Sequence, residues 1–129
     1  MERGIKRLGD AELEVMQAVW AGGETVTSGY ILEQLKGKRS WAQATLVTVL
    51  NRLVDKGFLA CEKRPRHNEY RPVIDQETYQ RSEGRTVLEK LYGNSVTGMV
   101  ASLVGGESVS DADLRELRQF LDEWEADHA

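Results

Sequence analysis

Cysteine is nearly missing from this chain. Cys61 is the whole supply in 129 residues, so no internal disulfide can form and a reducing cytoplasm is the expected compartment. Histidine is almost as scarce. His67 and His128 are the two present, and with one cysteine they give no metal-ligand spacing. No metal and no cofactor are expected. Proline also numbers two, and with 29% charged and 40% hydrophobic residues the composition is that of a globular chain, not a disordered one. No apolar run approaches the roughly 18 residues that a membrane span needs, so no membrane partner is expected. The opening stretch MERGIKRLGDAELEV lacks the apolar core of a signal peptide. There is no phosphate loop, no zinc spacing and no nucleophile paired with a base, which argues against an enzyme.

Charge is present but unevenly shared. The formal net charge is −4, which alone disfavours a nucleic-acid partner. Residues 1–72, however, hold 12 basic and 9 acidic side chains, net +3, and residues 73–129 hold 5 and 12, net −7. Between Lys36 and Arg71 the count is 9 to 3, net +6. A basic segment beside an acidic one suggests a half that faces nucleic acid and a half with another task.

That basic segment contains the most informative stretch, SWAQATLVTVLNRLVDKG at 40–57. Leu46, Val49, Leu50 and Leu53 recur at helical spacing and make one apolar stripe. The opposite stripe, Gln43, Ala44, Thr48, Asn51 and Asp55, is small and neutral over its first turns. Short hydroxyl and amide side chains suit a helix lying in a DNA major groove, because they approach base edges and both donate and accept. An ordinary core helix would show the same apolar stripe. Lys56-Gly57 closes the helix, glycine taking the left-handed conformation.

The preceding chain supplies the rest of a helix-turn-helix. Residues 1–9 read as a frayed basic leader. Asp10 is the expected N-cap of a helix running to about Ala21, with Leu13, Met16, Val19 and Trp20 inward and Glu12 and Glu14 placed for the helix dipole. Gly22-Gly23 stops it. Thr27 is the expected N-cap of a second helix over 28–36, with Ile31, Leu32 and Leu35 inward. After Gly57 the period changes, and residues 58–63 and 68–73 read as two short strands. Arg64-Pro65-Arg66-His67 between them is a basic hairpin tip, placed to reach phosphates beside a groove or simply solvated as a charged strand edge. His67 reads as a polar turn residue and Cys61 as a small strand residue.

Asp75 is placed to cap a helix over 76–92 that is polar in its first half and carries Val87, Leu88, Leu91 and Tyr92 in its second. Val96, Met99, Val100, Leu103 and Val104 make the stripe of the next helix, ended by Gly105-Gly106. Ser110 and Asp113 then form a capping-box pattern, and Leu114, Leu117, Leu121 and Trp124 share one face of the last helix. Three helices in so short a tail bury too little surface to stand alone. A symmetric dimer would cover their stripes, as would folding back on the first domain. The expected architecture is mainly α with a small β-hairpin wing. It comprises a winged helix-turn-helix over 1–74 and a helical dimerisation domain over 75–129.

LGDAELEVMQAVW at 8–20, SWAQATLVTVLNRLVDKGFL at 40–59, the strand ending in Tyr70, and VTGMVASLVGGESVSDADLRELRQFL at 96–121 together resemble the penicillinase-repressor (BlaI/MecI) family of bacterial transcriptional repressors. The resemblance implies a homodimer that blocks transcription at dyad-symmetric operators with TACA/TGTA-like half-sites. It places Ala44, Thr45, Val47 and Thr48 where the family's recognition helix faces the groove, and Arg52 at a basic position near the backbone. Some relatives are basic where this chain has Ala44 and Val47, so its base readout should differ and lean on thymine methyl groups. Many relatives open this helix with Ser-Pro. Ala42-Gln43 stands there in this chain, which weakens the N-cap. Some relatives are cleaved at an Asn-Phe bond after a membrane sensor detects a β-lactam. Ser102-Leu103 falls at that place, and the different bond leaves proteolytic induction, its sensor or protease partner and an antibiotic link without support. The copper-responsive branch ends in a cysteine cluster, and this chain has no cysteine after Cys61.

The leading expectation is thus a dimeric DNA-binding repressor. Gln43, Ala44, Thr45, Val47 and Thr48 face the bases, and Ser40, Trp41, Arg52, Lys63, Arg64 and Arg66 face the backbone. Trp41 has a second reading, as a lid on the core between the second and third helices. The dimer interface would draw on Val87, Leu88, Leu91, Val96, Met99, Val100, Leu103, Leu114, Leu117, Leu121 and Trp124. The alternative is a winged-helix module that docks a protein without reading DNA sequence.

Overall fold

A computed structural model of the chain describes residues 4–129. Helix α1 (Asp10–Ala21) begins at Gly9, whose N–H donates to the Glu12 carboxylate at 3.0 Å. Asp10, the expected cap, is instead the first helical residue. The leader is also more ordered than its charge suggests. Leu8 is buried, Ile5 packs on the core, and Leu8 N–H donates to the Tyr79 hydroxyl at 3.0 Å. Two apolar residues among the cations are enough to anchor it. The first three residues of that expected leader lie outside the described ones.

At the end of α1 the chain turns so tightly that a side chain has no room. A Cβ on Gly22 would stand 2.3 Å from a Val26 methyl. Strand β1 (Val26–Thr27) follows, which the sequence does not announce because it is two residues long. Thr27 then caps α2 (Ser28–Leu35), its hydroxyl accepting from Tyr30 N–H at 3.1 Å. Helix α3 spans Gln43–Asp55, three residues shorter at its start than the apolar pattern suggests. Ser40 and Trp41 therefore precede it, and Ala42 supplies no capping side chain. Its far end closes as expected. Gly57 has φ +85°, and Phe58 N–H reaches back to the Leu53 carbonyl at 2.9 Å, the left-handed glycine stop of a Schellman turn.

The expected hairpin is part of a three-stranded antiparallel sheet in the order β1-β3-β2, with β2 spanning Leu59–Lys63 and β3 Asn68–Pro72. Val26 pairs with Tyr70, and Cys61 with Tyr70 on the other side. The short β1 thus covers one edge of the wing at its base, and Tyr70 is buried beneath the sheet. The core gathers Val15, Met16 and Val19 of α1, Ile31 and Leu35 of α2, and Leu46, Leu50 and Leu53 of α3, with Phe58 entering just before β2 and Leu59 from its start.

Among the described residues of this first unit, one charged group is buried. Glu12, read from the sequence as a partner for the helix dipole, is 5% exposed. Its Oε1 accepts from Lys56 Nζ at 2.7 Å as well as from Gly9, and its Oε2 has no hydrogen-bond partner among the described residues. Burial raises the carboxyl pKa. The bonds from Lys56 and Gly9, with the charges of Lys56 and Arg52, outweigh that and hold the group below the usual glutamate range.

Helix α4 (Gln76–Tyr92) starts on a cap from Asp75, whose carboxylate accepts Thr78 N–H at 2.8 Å. Tertiary packing divides the chain within α4, between Glu83 and Gly84, whereas the sequence pattern changes at 74/75. Tyr79 accounts for the difference. It is buried in the first unit, edge-on to Phe58 with ring centroids 5.6 Å apart, and it accepts the Leu8 hydrogen bond. The second unit holds the end of α4, α5 (Val96–Gly105) and α6 (Asp111–His128). The expected capping box opens α6. Ser110 Oγ accepts from Asp113 N–H at 3.1 Å, and Ser110 N–H donates to the Asp113 carboxylate at 2.9 Å. No residue of this unit is fully buried.

The Glu12–Lys56 contact generates a stability prediction. Lys56→Met keeps the apolar stem and leaves the carboxylate without its cation. The expected loss is about 3 kcal/mol in urea unfolding near neutral pH, the low end for a broken buried pair because Lys56 keeps some solvent access. A depressed carboxyl pKa stabilises the fold above the unfolded-state value, and that contribution is lost as pH falls through the folded-state value. Glu12→Gln should accordingly show a flatter stability profile across that acid range.

Candidate nucleic-acid interface

Helix α3 presents two faces of different chemistry. Leu46, Val49, Leu50 and Leu53 are buried. Gln43, Ala44, Thr45, Thr48, Asn51, Arg52 and Asp55 are exposed, and Val47 is half-buried at the edge. The first two turns of the exposed face carry no charge. Thr48 Oγ1 donates to the Ala44 carbonyl at 3.0 Å, so its oxygen remains available as an acceptor. Gln43 Nε2 donates to Ser28 Oγ at 3.0 Å, which brings the start of α2 to the start of α3. Ser28 carries no sequence signal of its own, because a contact across fifteen positions follows only from the way the two helices pack.

The segment entering α3 is held from α1. Arg39 donates from Nε and a terminal nitrogen to the two Glu14 oxygens at 2.9 and 3.0 Å. This fork holds the Glu14 carboxyl below the usual range. The same guanidinium lies 5.3 Å from the Trp41 ring centroid, a cation–π contact. Trp41 is partly buried and packs on the core, which favours its role as a lid, while Ser40 beside it is exposed.

The wing carries three candidates, Lys63, Arg64 and Arg66, at and beside its turn. Arg64 N–H donates to the His67 carbonyl at 2.8 Å and tightens the tip. Arg64, expected to meet phosphate, pairs here with Glu62 and Glu69 of the flanking strands. His67 Nε2 lies 3.3 Å from Glu69. Hydrogen bonding from His67, with the charge of Arg64, holds the Glu69 carboxyl low. Lys63 and Arg66 are exposed and form no ion pair among the described residues. Arg52 is exposed near the last turn of α3.

The residues expected at a dimer interface all lie in the second unit. Val87, Leu88, Met99, Val100 and Leu114 are half-buried, and Leu91, Val96, Leu103, Leu117, Leu121 and Trp124 are exposed. Phe120 is exposed beside them at 58%, outside the stripe read from the sequence. Ser102 and Leu103 sit inside α5, their carbonyls accepting from Gly106 and Ser108 N–H at 3.1 and 3.0 Å. Among the described residues, no helix is long and apolar enough to cross a membrane, and no cluster of His, Cys, Asp and Glu could hold a metal ion.

Residues 8–123 match the family model described as penicillinase repressor. The chain is 30% identical over 119 residues to the penicillinase repressor of Bacillus licheniformis, covering 92% of each chain. It is 25% identical over 121 residues to the methicillin resistance regulatory protein MecI of Mammaliicoccus sciuri, covering 94% of this chain and 98% of that one. The solution structure of the DNA binding domain of the repressor BlaI is similar at 35% identity and a TM-score of 0.51, over 58% of this chain and 90% of that one.

The fork between Arg39 and Glu14 has a direct check. Arg39→Lys retains the charge but not the two parallel donors or the flat surface over Trp41. Amide hydrogen exchange at 40–42 should quicken while exchange in the middle of α1 stays unchanged.

Proposed function

The chain belongs to the penicillinase repressor family, and from that premise we propose that it represses transcription by binding a dyad-symmetric DNA operator as a homodimer. The observation that carries this reading is the exposed face of α3, uncharged and small over its first two turns, beside the cations of the wing. The start of a recognition helix is the part that meets base edges. Gln43, Ala44, Thr45, Val47 and Thr48 would read the bases. Ser40, Trp41, Arg52, Lys63, Arg64 and Arg66 would follow the backbone and supply salt-sensitive affinity. On this reading the protein acts in the cytoplasm, where its operator would lie.

Support for the dimer comes from the second unit. Leu91 is 73% exposed, Val96 62% and Trp124 50%. Apolar residues in such number on so small a unit call for a partner, and a second copy also provides the twofold symmetry that a palindromic site requires.

Selection from a random duplex library, with the mass of the complex recorded, tests the reading. A dyad-symmetric consensus bound by two copies is expected. A stable dimer that enriches no sequence at moderate salt overturns it in favour of a protein-docking module. Two predictions follow from the site geometry. Arg66→Ala should weaken binding to all sequences and reduce the salt slope by about one, and Arg64→Ala should do less, because Glu62 and Glu69 already pair with it. Leu121→Asp should shift the chain towards monomer in sedimentation while leaving the urea unfolding of the first unit unchanged.

A further inference from the structure

Helices α2 and α3 begin side by side. Ser28 is the first residue of α2 and Gln43 the first of α3, and the 3.0 Å bond from Gln43 Nε2 to Ser28 Oγ joins them. Gln43 is exposed and Ser28 half-buried. The backbone that carries the serine is itself held. The adjacent Thr27 pairs with Glu69 in the sheet and caps α2 through Tyr30. An exposed glutamine otherwise samples many rotamers, and a hydrogen bond from a fixed neighbour selects among them.

The chemistry of the held amide is specific. A glutamine side chain has two N–H donors and one oxygen acceptor. Ser28 takes one donor, and the other donor and the oxygen remain. Turning the amide over, so that Ser28 donates to the oxygen, still leaves a donor and a lone pair. One donor beside one acceptor is the set that adenine matches in the major groove through N7 and its exocyclic amine. We infer that Ser28 is a positioning residue that holds Gln43 to read an adenine at one position of each half-site. The inference rests on the DNA-binding reading above.

The test is random-duplex selection with the full chain, scoring base preference position by position, for wild type, Ser28→Ala, Ser28→Thr, Gln43→Ala and the double alanine variant. Wild type should select adenine at one position per half-site. Gln43→Ala should cut that preference about tenfold or more. Ser28→Ala should cut it about 3- to 10-fold, the scale of freeing one long side chain, with the other positions unchanged. Ser28→Thr should restore it, and the double variant should match Gln43→Ala alone. Thermal unfolding confirms that each variant is folded. If Ser28→Ala leaves every preference intact, or weakens all positions equally as a mere staple between helices would, the positioning role is overturned while the repressor reading stands. If wild type selects no sequence, both are overturned.

Discussion

The orientation of α3 depends on a carboxylate that is costly to bury. Glu12 sits in the first turn of α1, and its Oε1 is shared by the Gly9 N–H and Lys56 Nζ. An isolated charge in that place would be neutralised or expelled. Here the ammonium comes from the residue that closes α3, so the pair forms only when the two helices cross at the native angle. Two residues further along α1, Glu14 holds Arg39 through a fork, and Arg39 leads into the other end of α3. Both ends of the helix are thus referenced to one turn of α1. Lateral position comes from Leu46, Leu50 and Leu53 in the core. If α3 reads bases as proposed, recognition would tolerate little misplacement of it, and a rigid reference would be worth a buried charge.

Much of this was legible in the sequence, and the reasons differ by element. Helices announce themselves by apolar spacing, so α1, α2, α3, α5 and α6 lie close to where their stripes put them. Glycine punctuation located Gly57 because a left-handed turn has few other candidates. Thr27, Asp75 and the Ser110–Asp113 pair were readable because caps act over three residues. Long-range contacts left no such trace. Strand β1 exists through its pairing with Tyr70, and two residues carry no period. The burial of Glu12 depends on Lys56, forty-four positions away, and a first-turn glutamate looks like a dipole partner until its neighbour is known. The start of α3 slid because Ala42 offers no capping side chain and Trp41 is drawn into the Arg39 contact. At the site, the exposed face of α3 was readable from period alone. The acid partners of Arg64 and the serine behind Gln43 were not.

The second unit reverses the logic of the first. Its helices are well capped, by Ser95 on Gly98 N–H at 2.9 Å and by the Ser110–Asp113 box, yet they enclose no buried residue. Local signals specify the helices, and a core must come from elsewhere. In the proposed dimer such a unit would couple folding to assembly, because the surface that stabilises it would belong to its partner. On the repressor reading, concentration then governs how much of the protein exists in the operator-competent form.

The wing carries acids as well as bases, and this bears on how a repressor finds its site. A chromosome offers a vast excess of wrong addresses, each with the same phosphates as the right one. An arginine already engaged by Glu62 and Glu69 gains little from a random phosphate, since it must release one anion to take another. Only where α3 also fits the bases would that exchange be favoured. The glutamates would then shorten the protein's residence at wrong addresses and hasten its search.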